Sequence, residues 1–109
     1  MNRELRALLA ISLFLLTPHA GSAADEDLEQ GRAMAQRLCA ACHMNPGQGE
    51  KSGPGSIPSF KAVANRPAQT QDGVEAWLLS IPQMMPNHNL SQEESRVLAA
   101  FVMSLRNAP

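Results

Sequence analysis

The sequence predicts an all-α domain, on three observations. Apolar residues recur at helical spacing in separate segments, runs rich in Gly and Pro divide those segments, and no stretch alternates apolar and polar residues as a half-buried strand would. From Glu29 to Leu38, the residues Gly31, Met34, Ala35 and Leu38 share a helical face, and this helix leads straight into Cys39. The acidic cluster from Asp25 to Glu29 reads as its solvated start, where negative charge suits the helix dipole.

Between His43 and Pro58, "MNPGQGEKSGPGSI" is a loop. A short helix is expected from Ser59 to Ala64, with Ser59 as its cap. After the connection "NRPAQTQ", a third helix spans Asp72 to Ser80, with Val74, Trp77, Leu78 and Ile81 on one side. Pro82 ends it, because the residue before a proline disfavours helical geometry. The loop "PQMMPNHN" follows. Ser91-Gln92-Glu93-Glu94 is then a capping box that opens a last helix to Leu105, with Val97, Leu98, Phe101, Val102 and Leu105 forming its apolar face.

The beginning of the 109-residue chain reads differently. Arg3 and Arg6 precede the apolar run "ALLAISLFLL", and small residues follow Pro18 in "AGSAA". This layout is that of a secretory signal peptide over residues 1–24, leaving a single domain over residues 25–109. The run is half of the ~20 residues that a retained membrane anchor would need. Nine basic and ten acidic residues balance closely, and no basic tract points to nucleic acid or an anionic membrane surface. A domain this small, with one Trp and no Tyr, is short of core and needs a staple. A bridge between Cys39 and Cys42 would close too small a loop to supply one.

Those two cysteines, the only ones in the chain, stand in "CAACH". At the end of a helix, residues three and four apart share a face, so the side chains of Cys39, Cys42 and His43 can converge. Two thiols so spaced can add across the vinyl groups of a haem, and the adjacent imidazole can reach its iron; Cys-x-x-Cys-His reads as covalent haem c attachment. Haem is also a large apolar body that completes a thin core. A thiol–disulfide pair usually accompanies a strand–helix–strand pattern, and none is visible. Zinc would need four ligands from Cys39, Cys42, His43 and a distant His88, and copper(I) would draw on the thiols and scattered methionines. The pattern favours haem over all three.

For the second axial position the methionines are candidates. Met34 and Met103 sit at helical spacing as core filler, and Met44 is too close to His43 to reach the opposite face. Met84 and Met85 lie in the loop between two helices. Pro86 holds Met85 extended and brings no amide hydrogen to a dry pocket, which favours Met85, with Met84 as the alternative. His88 would instead give a two-histidine iron.

With these residues the chain resembles a small bacterial class I cytochrome c over nearly all of residues 25–109, which implies short helices wrapped around one covalent haem. Gly31, eight residues before Cys39, and Phe101 on the last helix match the family's helix-crossing positions. "IPSFKAVA" resembles the segment after the haem motif and implies that the Pro58 carbonyl accepts the outer proton of His43, with Pro54 as the alternative. "MPNHNLSQEE" resembles the family's ligand loop and again points to Met85. By the same likeness Trp77 hydrogen-bonds a haem propionate; its other reading is core packing. The lysine-rich face of mitochondrial cytochrome c is missing.

The resulting expectation is a periplasmic electron-transfer protein of a Gram-negative bacterium, not an enzyme, with one haem c held by Cys39 and Cys42 and ligated by His43 and Met85. Its partners would be redox proteins, a donor and an acceptor among periplasmic dehydrogenases, oxidases or membrane complexes, with no nucleic acid and no membrane insertion after cleavage. The alternatives are a fixed cytochrome c subunit of a periplasmic dehydrogenase or oxidase, and a Cys-x-x-Cys thiol–disulfide oxidoreductase.

Overall fold

The computed structural model describes residues 22–43 and 57–109. Most of the predicted leader, together with Met44 and Pro54, lies outside the described residues. Within them the chain forms four helices and no strand: α1 (Ala23–Leu38), α2 (Phe60–Ala64), α3 (Gln71–Leu79) and α4 (Gln92–Ser104).

Each helix begins where a short polar side chain can satisfy a free amide of the first turn. Ser22 Oγ accepts from the Asp25 amide, Ser59 Oγ from Ala62, and Thr70 Oγ1 from Gly73. At α4 the capping box closes in both directions: Ser91 Oγ accepts from the Glu94 amide at 3.1 Å, and Glu94 Oε2 accepts from the Ser91 amide at 2.8 Å. α1 starts well before Glu29, where its apolar spacing begins, and its first two residues fall inside the predicted leader. Its opening turns are exposed or half-exposed, so they carry no apolar period; the Ser22 cap and the acidic Asp25 and Glu26 start the helix instead.

α4 is the hub. Among the described residues α1, α2 and α3 each pack against α4, with no close approach to one another. Its buried Val97, Leu98, Phe101 and Val102 meet Met34 and Ala35 of α1 and Phe60 and Ala64 of α2. Met103 is partly buried against this cluster. Phe60 meets Phe101 edge to face, with ring centroids 6.1 Å apart. The face expected of α3 is less uniform: Val74 is buried and Leu78 half-buried, but Trp77 and Ile81 are exposed. Ile81 lies beyond the end of the helix, with φ 56°, and so leaves the face that continued helical spacing would give it.

Gly31 makes the crossing of α1 and α4 possible. A Cβ at this position would collide with the Val97 carbonyl oxygen and lie 2.8 Å from the Phe101 Cβ. Backbone cannot rotate away as a flexible side chain can. Beside this crossing, Arg96 of α4 holds Asp27 of α1 with two bonds, at 2.7 and 3.2 Å, and also engages Glu93. The Arg96 guanidinium keeps the carboxyls of both Asp27 and Glu93 below their ordinary range by hydrogen bonding. At the far end, Arg106 Nη1 donates to the Gln69 carbonyl and the Asn107 amide to Asn65 Oδ1, tying the terminus to the α2–α3 connection.

Two outcomes are expected. Gly31→Ala should destabilise the haem-loaded protein by about 1–3 kcal/mol, the usual range for overpacking, measured as a lower denaturant midpoint. Lowered folded-state carboxyl pKa values give stability that is complete above the unfolded values and is lost as pH falls through the folded ones. The denaturant midpoint should therefore drop below about pH 4, and Asp27→Asn should make that acid limb shallower while lowering the neutral-pH midpoint slightly.

Candidate haem site

The last turn of α1 passes directly into the cysteine motif. The Cys39 amide donates to the Ala35 carbonyl at 2.9 Å, and the amides of Cys42 and His43 both return to the Cys39 carbonyl, at 3.1 and 2.8 Å. This turn keeps both sulfurs and the imidazole at the end of α1. Both cysteines are free thiols; Cys39 is half-buried and Cys42 exposed. Burial pushes the Cys39 thiol above its ordinary value, and the neighbouring Cys42 adds to the shift.

His43 is held on two sides. Its Nδ1 lies 2.6 Å from the Pro58 carbonyl oxygen. A carbonyl only accepts, so Nδ1 carries the proton and Nε2 keeps its lone pair for a metal. The ring stacks on Phe60, with centroids 5.2 Å apart and planes 18° from parallel. Phe60 is the residue that the sequence reading passed over. Its only signal there was position, an aromatic two residues after Pro58 at the start of a capped helix.

The methionine candidates stand in the loop between α3 and α4. The Met85 amide donates to the Pro82 carbonyl at 3.2 Å, forming a turn, and the Asn89 amide donates to Asn87 Oδ1 at 2.9 Å. A cavity of about 270 Å³ opens here, with Leu78, Ile81, Met85, His88 and Leu90 among its walls. The two methionines of the doublet differ sharply: Met84 is 96% exposed, whereas Met85 is half-buried in the cavity wall. Trp77 is 51% exposed, so the described residues do not pack it into their core. Ile81 enters the loop in the left-handed region, which for a residue other than glycine costs on the order of 1–3 kcal/mol.

The structure thus gathers Cys39, Cys42, His43 and Pro58 into one constellation. Met85 belongs to a second one, joined to the first through α4. Two free thiols at this spacing, beside an imidazole whose outer nitrogen is already bonded, form a donor set suited to covalent haem. The apolar side chains left exposed at Trp77, Leu79 and Ile81 suit a large apolar group as well.

Comparison with known proteins agrees. The family described as cytochrome c oxidase, cbb3-type, subunit III matches residues 26–102. The chain belongs to the c-type cytochromes. This cytochrome is also similar to a protein named cytochrome c-552 from Bradyrhizobium diazoefficiens, with 31% identity over 106 residues, which cover 97% of this chain and 99% of that one. No solved structure matches. Membership of the family implies haem c and a part in electron transport. No helix among the described residues is long and apolar enough to cross a membrane.

Replacing Cys39 and Cys42 together by Ala should abolish covalent haem and leave little folded protein, checked by intact mass and by absorbance of the denatured, reduced sample. Normal yield with bound haem would contradict the assignment of these two sulfurs.

Proposed function

We propose that this cytochrome is a freely diffusing periplasmic electron carrier, exported by residues 1–24 and carrying one haem c on residues 25–109, with His43 and Met85 as axial ligands. The observation that carries this reading is the Nδ1 proton of His43 on the Pro58 carbonyl, which leaves Nε2 free beside two unpaired thiols. A haem held by Cys39, Cys42 and His43 would supply one-electron redox chemistry.

The chain's own residues set how this happens. The Pro58 bond fixes the imidazole plane and raises its basicity. Phe60 blocks ring rotation from the side. Met85 is the preferred distal ligand because it faces the cavity while Met84 faces solvent. A thioether ligand favours the reduced state and raises the potential. Ligation by both His43 and Met85 would leave no open position on the iron for a substrate. Electrons would cross at the exposed thioether edge by Cys42. Trp77, half-exposed and with no indole hydrogen bond among the described residues, is available to a haem propionate.

A donor and an acceptor protein follow from this role, of the kinds found among periplasmic dehydrogenases, oxidases and membrane complexes. Seven basic and nine acidic residues in 25–109 give a net charge of −2, no strong field to steer either of them. The matched family's description favours a second reading, a fixed subunit of an oxidase or dehydrogenase complex. Copurification from the native organism separates the two: a carrier elutes alone, a subunit with its complex.

Ferric and ferrous spectra of the haem-loaded protein test the ligands. Met85→Ala should abolish the weak far-red sulfur-to-iron band of the oxidised form and lower the potential. Met84→Ala should keep both. Loss of the band only in the Met84 variant would reverse the assignment.

A further inference from the structure

Among the described residues, four other than glycine have positive φ: Ala68, Ile81, Asn89 and Asn107. Asparagine visits this region readily, and alanine has no branch at Cβ; a β-branched residue there is a true outlier. Ile81 stands at the position just past a helix end where glycine is usual. Pro82 after it restricts it further, toward extended backbone. Burial does not offset this strain, because the Ile81 side chain is 55% exposed. An exposed apolar side chain in a strained conformation therefore has no reason within the packing of the described residues.

Its surroundings supply one. Continued helical geometry would set Ile81 on the Val74 and Leu78 face, toward α4. The left-handed turn moves it off that face, and Ile81 stands in the wall of the cavity that Leu78 and Met85 also line. The same turn places Pro82 so that its carbonyl receives the Met85 amide. The residue that begins the ligand turn thus also walls the ligand's cavity.

We propose that Ile81 is a positioning residue that shields the Met85 side of the haem from water and small competing ligands, its strained backbone being the means by which the side chain is held in the cavity wall. The inference rests on Met85 as the distal ligand. Met85 supplies the sulfur, and Ile81 keeps rivals from displacing it.

The test uses haem-loaded, oxidised protein and imidazole as the competing ligand. Glycine relieves the strain and removes the side chain. Ile81→Gly should bind imidazole about tenfold more tightly than the parent and show a lower reduction potential, whereas Ile81→Val should stay within about twofold of the parent. If Ile81→Gly matures poorly, Ile81→Asn, which also accepts the left-handed conformation, should show the same tighter binding. Imidazole affinity and potential unchanged in the Gly or Asn variant, with the far-red band present in the parent, would overturn the shielding role and leave Met85 in place. A parent without that band would overturn both.

Discussion

Close contact between the backbones of α1 and α4 at Gly31 governs the rest of this molecule. The absence of a side chain there lets the Val97 carbonyl and Phe101 Cβ approach the α1 backbone. Phe101 then meets Phe60 edge to face, and Phe60 in turn stacks on His43. The orientation of the candidate ligand is thereby linked through two aromatic contacts to a helix crossing outside the cysteine motif. Protein interiors are close-packed, so a shift at the crossing would be passed along this chain rather than absorbed.

The two halves of the candidate site are built on different principles. On the His43 side, a hydrogen bond and a stacked ring fix an imidazole at the end of a long helix. On the Met85 side, a loop is shaped by one turn, an Asn87–Asn89 contact and a left-handed Ile81, with little burial to support it. The first half can be rigid before any ligand arrives. The second leaves apolar side chains exposed at Leu79 and Ile81. This division suits a carrier whose coordination must stay nearly unchanged as charge comes and goes.

Much of the architecture was legible in advance because it is local. Helical spacing marked α4 and the core half of α1, and cap residues marked α2 and α4. The acidic cluster beginning at Asp25 marked the start of α1 to within two residues, although its exposed first turns carry no apolar signal. The face expected of α3 did not hold. Trp77 and Ile81 are apolar and well spaced, yet among the described residues neither is buried, since α3 meets α4 through Val74 and Leu78. Apolar spacing reports which residues seek burial; it does not say whether protein or a cofactor provides it.

By itself the amino-acid order determined the chemistry: two thiols and an imidazole within one helical turn, a methionine doublet before a proline, and helices without strands. Such features depend on residue type and short spacing, which the chain carries wherever it folds. Only the tertiary structure decided that Phe60 stacks on His43 and that Ile81 leaves its helical face. Each of these depends on atoms brought together from distant segments, or on a single dihedral angle that tips a side chain from one surface to another, and no local pattern encodes either.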